Sequence, residues 1–140
     1  MSVHYYNNTN LDMNKIAEGL VHQYEHEHFE VQHLVDQNHG LVQLKKSGVV
    51  RALTGFGKAI TIRMQQEEGG LRARVSIEDW ADKLAAEGIT FVFISMLGGV
   101  PAIIGSIDEV HLAHKVMDEV DRLVREQDPI IEIERHHPNK

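Results

Sequence analysis

The stretch Ile60-Thr61-Ile62-Arg63-Met64-Gln65-Gln66-Glu67-Glu68-Gly69-Gly70-Leu71-Arg72-Ala73-Arg74-Val75-Ser76-Ile77 decides the fold. Ile60, Ile62 and Met64 alternate with Thr61, Arg63 and Gln65, and Leu71, Ala73, Val75 and Ile77 alternate with Arg72, Arg74 and Ser76. A period of two puts each set on one face of a β-strand. Glu67-Glu68-Gly69-Gly70 has turn composition, so the two runs read as a hairpin. Pairing Gln66 with Leu71 across this four-residue loop sets Met64 opposite Ala73, Ile62 opposite Val75 and Ile60 opposite Ile77. One face is then wholly apolar. The same register sets Arg63 directly opposite Arg74. Two cations so placed repel, which disfavours the pairing unless an acidic group or a bound anion lies between them.

Two more strands precede the hairpin. Phe29, Val31, His33 and Val35 alternate with Glu30, Gln32 and Leu34 up to the turn-forming Asp36-Gln37-Asn38-His39-Gly40, and Leu41 to Lys46 follows. His33 falls on the apolar face, which predicts a hydrogen-bonded core histidine. An irregular link through Ser47, Gly48, Gly55 and Gly57 leads to the hairpin. Upstream, Asn10 is a good N-cap, with Asp12 in the first turn. Leu11, Met13, Ile16, Ala17, Leu20, Val21 and Tyr24 recur at three- and four-residue steps, one stripe of an amphipathic helix.

Downstream, Glu78-Asp79 suits the start of a helix that includes Trp80, Lys83 and Leu84. Gly88 caps that helix and leaves Ile89 to Ile94 as a strand, or the helix runs on through Leu97; both readings stay open. Pro101 suits a first helical turn, and Ile103, Ile107, Val110, His114, Met117 and Val120 to Val124 keep helical spacing as far as Gln127. Pro129 ends that helix, and the tail Ile130 to Glu134 alternates weakly enough to add an edge strand.

The expected fold class is therefore α+β: a four-stranded antiparallel sheet with an N-terminal helix and a C-terminal helical hairpin packed on one face. A chain of 140 residues fits one core. It divides into a flexible N-terminus (1–10), a single domain (11–128) and a tail (129–140).

Gly88 to Ile107 is an uncharged apolar stretch of 20 residues, long enough as a helix to span about 30 Å. Gly98, Gly99 and Pro101 interrupt it, Thr90, Ser95 and Ser106 add polarity, and no basic cluster flanks it. A buried hairpin covering the apolar sheet face explains these residues; membrane insertion or shallow membrane contact, and an exposed groove for an apolar ligand, are the competing readings.

The chain has no cysteine, which excludes disulfides and thiolate metal sites. Its start, Met-Ser-Val-His-Tyr-Tyr-Asn-Asn, predicts no signal peptide and hence a cytoplasmic location, with peripheral attachment to the membrane left open. The formal charge of -7 is unevenly spread. Residues 41–74 carry Lys45, Lys46, Arg51, Lys58, Arg63, Arg72 and Arg74 against only Glu67 and Glu68. Such a segment either faces the acidic helices of its own molecule or meets an anionic partner.

The order of parts, with Trp80-Ala81-Asp82-Lys83 and a central Pro101 in the uncharged stretch, resembles a group of uncharacterised bacterial domains. Some of these carry an N-terminal zinc ribbon and a hydrophobic membrane hairpin. The resemblance covers roughly residues 12–127 and implies membrane or envelope proximity without a known activity; lacking cysteine, this chain has no zinc ribbon.

Ten histidines supply the only metal-ligand signal. His22 and His26 sit one helical turn apart beside His28, a spacing that can chelate a divalent transition metal, with Glu25, Glu27 and Glu30 near. Gln23 stands where a metalloprotease pattern needs Glu. Solvated helix ends also carry such residues. His111 and His114 repeat the one-turn spacing. Thr54-Gly55-Phe56-Gly57-Lys58 fails as a phosphate loop, because Ala52 and Ala59 hold the positions of its first Gly and its Ser or Thr. No Ser lies in a nucleophile elbow. Phe56 is the one aromatic in the basic segment, so nucleic-acid binding is disfavoured.

These residues lead to a non-enzymatic interaction module, expected as a homo-oligomer, whose basic sheet face (Lys58, Arg63, Arg72, Arg74) meets an acidic protein surface or anionic lipid. The alternative is a pocket for an apolar small molecule or lipid with its anionic head on those arginines. Metal binding at His22, His26 and His28 stands third, and no other cofactor is expected.

Overall fold

A computed structural model describes residues 2–46, 58–80 and 107–136. These form six strands and two helices in the order β1 (Ser2–Tyr6), α1 (Met13–His26), β2 (Phe29–Val35), β3 (His39–Lys46), β4 (Lys58–Glu67), β5 (Gly70–Asp79), α2 (Ile107–Gln127) and β6 (Ile133–His136). The strands make one antiparallel sheet ordered β2-β3-β4-β5-β1-β6.

The fold is α+β as expected, but the sheet has six strands rather than four. The central hairpin keeps the predicted register, with Met64, Ile62 and Ile60 opposite Ala73, Val75 and Ile77 and Arg63 opposite Arg74. Its pairing runs one step further, to Glu67 and Gly70, so the loop tightens to Glu68-Gly69. The two added strands come from the chain ends. Residues 1–10, expected to be flexible, contain β1, which lies between β5 and β6. The tail supplies β6 as an edge strand.

Gly70 explains how β1 docks on β5. A Cβ there would lie 2.0 Å from the Tyr6 carbonyl oxygen, so only glycine lets the two backbones approach.

Both helices cover the face formed by Tyr6, Val42, Leu44, Ile60, Ile62, Met64, Leu71, Ala73, Val75 and Ile77. Met13, Ile16, Ala17, Leu20 and Tyr24 meet it from α1, and Val116, Met117, Val120, Leu123 and Val124 from α2. Each such large apolar side chain stabilises the fold by about 1.5–3 kcal/mol relative to exposure. Asp12, not Asn10, caps α1: its carboxylate accepts from the Asn14 and Lys15 amides. Gln127 at the end of α2 clamps the same residue, accepting from the Asp12 amide and donating to its carbonyl.

Two further expectations are corrected. Glu78 and Asp79 do not open a helix but end β5, because both pair with β4, opposite Ala59 and Lys58. His33 is exposed on the edge strand β2, although Phe29, Val31 and Val35 of the same strand pack against the core. The Gly48 to Gly57 link, the alternatives for Ile89 to Ile94, and all of the Gly88 to Ile107 stretch before Ile107 lie outside the described residues. Among the described residues no helix is long and apolar enough to cross a membrane.

Candidate functional site: the polar face of the sheet

Alternation along β5 turns Arg72, Arg74, Ser76 and Glu78 away from the helices, and along β4 it does the same for Ala59, Thr61, Arg63 and Gln65. Leu41 and Gln43 extend this second face onto β3, and Gln32 onto β2. Its centre is buried: Gln43 and Thr61 are at 0% exposure, Glu78 at 5% and Arg63 at 8%. Buried polar groups demand partners, and these residues bond in sequence across strands. The Gln32 amide donates to Gln43 Oε1 at 2.7 Å, and Gln43 Nε2 donates to Thr61 Oγ1 and to the Asp79 carbonyl, each at 3.0 Å.

The opposed arginines are resolved by Glu78. Arg63 donates to it through Nε at 3.0 Å and Nη2 at 2.6 Å, a two-pronged guanidinium-carboxylate bond, and Ser76 Oγ donates at 2.5 Å. Burial alone would push the Glu78 carboxyl up. The bonds from Arg63 and Ser76, with the charges of Arg63 and Arg74, outweigh burial and hold it below the usual carboxylate range.

Arg74 is treated differently. It is half-buried, its Nε is shielded from solvent without a hydrogen-bond partner, and it makes no ion pair among the described residues. Arg72 is exposed and meets Glu67 at 3.0 Å. The Lys58 backbone stands opposite Asp79. The positively charged face is thus largely neutralised from within: Arg63 is bound to Glu78, Arg72 to Glu67, and Lys45 Nζ lies 4.6 Å from the centroid of the Trp80 ring. Of the four predicted site residues, three arginines share this face, and Arg63 and Arg74 are neighbours.

The predicted metal ligands do not converge. His22, His26 and His28 are all exposed at the end of α1, and among the described residues no three His, Asp or Glu side chains gather as a metal site. His28 has left the helix with φ 67°, and its amide donates to the Glu25 carbonyl to close the last turn.

A second buried polar cluster went unseen in the sequence. His4 and Tyr6 on β1 meet Asp121 on α2: His4 Nδ1 is 2.7 Å from Asp121 Oδ1, and the Tyr6 hydroxyl donates to the same oxygen at 2.6 Å. Arg135 on β6 reaches the other carboxylate oxygen at 3.5 Å. Desolvation would raise the Asp121 carboxyl, but these donors and the Arg135 charge hold it low. Burial and the bond to Asp121 push the Tyr6 phenol well above its ordinary range. A carboxylate held ionised accepts only, so Nδ1 carries the proton that His4 shares with it. Accepting from three side chains, this carboxylate ties β1, α2 and β6 together. The signal for it was a charge inside an apolar stripe: Asp121 falls four residues after Met117 and three before Val124.

The chain matches no protein-family model, no curated protein and no solved structure. Fold and site define it as an α+β protein whose antiparallel sheet is covered by two helices on one face and carries a bonded polar network on the other.

Proposed function

We propose that this protein is a non-catalytic binding module that holds an anionic group on the polar face of its sheet, at Arg74 with Arg72 beside it. One observation carries the reading. Arg63 and Arg74 are directly opposed, and Glu78 on the same face is bonded to Arg63 while it feels the charge of both. A half-buried guanidinium beside a like charge is costly to fold around, and an incoming anion relieves that cost. The chemistry at the face is recognition rather than reaction, since the Glu78 carboxylate is occupied by Arg63 and the Ser76 hydroxyl by Glu78.

Free oxyanions and the headgroups of anionic lipids present the same chemistry. Binding is measured at low salt with two probes, soluble acetate plus phosphate and vesicles of anionic phospholipid, on the wild type and on Arg74→Gln. Saturable binding that weakens with added salt and with Arg74→Gln supports the reading. Binding confined to vesicles makes the protein a peripheral membrane binder. No binding to either probe at low salt overturns it.

A further inference from the structure

Resting on that reading, we infer that the group accepted at Arg74 is a carboxylate bearing one negative charge, carried on a small acid with an apolar body. The neighbouring Arg63 supplies the template. Its Nε and Nη2 already hold a carboxylate, that of Glu78, in a two-pronged bond. Arg74 is the same side chain on the same face, one strand over, and its Nε is the donor shielded from water without a partner. A planar carboxylate fits that fork as Glu78 fits the fork of Arg63.

Charge selects against a dianion. At this point of the face two guanidiniums stand against one carboxylate, which is held ionised, and Arg72 is balanced by Glu67. One further negative charge makes the cluster neutral. A phosphate dianion would leave an excess negative charge next to the buried Glu78, which is unfavourable in a poorly solvated site. Arg74 is half-buried, so a solute meets its exposed part first, and the side chain must turn to bring the shielded Nε into the second bond. Beside it on β1, Val3 lies directly opposite Arg74 and Tyr5 opposite Arg72, both half-buried, and they offer apolar contact to the body of the acid.

The test is a titration of the purified protein with hexanoate, acetate and inorganic phosphate at constant ionic strength, read by thermal unfolding and by calorimetry. A ligand that binds the native state raises the melting temperature with concentration. Hexanoate should bind most tightly, acetate next, and phosphate at least tenfold more weakly than hexanoate. Arg74→Gln should weaken hexanoate about 10- to 100-fold, the range for losing a charged hydrogen-bond partner. Glu78→Gln frees a second positive charge and should improve phosphate relative to hexanoate; where that variant does not fold, Arg74→Gln and the wild-type ranking decide. Phosphate binding as tightly as hexanoate overturns the inference and leaves the anion-binding reading standing. Absence of binding by all three anions and by vesicles removes both.

Discussion

His4 Nδ1 and Asp121 Oδ1 lie 2.7 Å apart although 117 residues separate them in the chain. The contact joins the central residue of β1 to the C-terminal half of α2, and Tyr6 bonds the same oxygen. A carboxylate buried at 5% exposure is tolerated there because His4, Tyr6 and Arg135 surround it.

Asp121→Asn removes the charge while keeping the shape. We expect a loss of about 2–4 kcal/mol, because His4 and Tyr6 then face a weaker acceptor in a buried site. Urea denaturation checks this, and a loss under 0.5 kcal/mol would show the cluster to be incidental. The same group governs acid sensitivity. Asp121 and Glu78 both titrate lower in the folded protein than ordinary carboxylates. Their contribution is therefore complete above the unfolded carboxylate range, about pH 4, and is lost as pH falls through the lower folded values. Stability plotted against pH should fall below about pH 4, and Asp121→Asn should flatten that fall.

Gly70 and Gly69 are adjacent in one turn yet should respond differently to alanine. At Gly70 the added Cβ meets the Tyr6 carbonyl, which cannot yield without moving β1; at Gly69 it meets the Tyr5 hydroxyl at 2.8 Å, the free end of a side chain. Gly70→Ala should cost about 3 kcal/mol or more, with lost amide-exchange protection at His4 and Tyr6, while Gly69→Ala stays within about 0.5 kcal/mol. Equal effects of the two would refute the close-approach argument.

His28 closes α1 in the left-handed region with φ 67°, which strains any residue bearing a Cβ. His28→Gly should stabilise the protein by about 0.5–1 kcal/mol, seen as a higher denaturation midpoint with an unchanged slope. A destabilised variant would mean that the imidazole's own contacts outweigh the strain.

Much of this was readable before any coordinates. The hairpin register from Ile60 to Ile77 follows from alternation alone, because a one-residue slip would turn Ile62 and Val75 to the other face. The opposition of Arg63 and Arg74 came with it, and so did the demand for an acid between them. The identity of that acid did not. Glu78 read as the first turn of a helix, since acidic residues there are a local signal; pairing with β4 and the bond to Arg63 overrode it. The histidines of α1 looked like ligands because one-turn spacing is visible in sequence, whereas their exposure depends on which flank packs.

The sequence by itself determined the α+β class, the hairpin, the apolar stripes of both helices and the crowding of two arginines on one sheet face. These rest on periodicities of two and three to four residues, which local geometry imposes on any chain. Only the tertiary structure decided that Ser2–Tyr6 inserts between β5 and β6, that Asp121 is paired with His4 and Tyr6, and that Glu78 serves Arg63 while the Nε of Arg74 is buried without a partner. Each of those depends on which long-range partner desolvates a polar side chain, and burial costs are set by neighbours far away in the chain rather than by spacing within it.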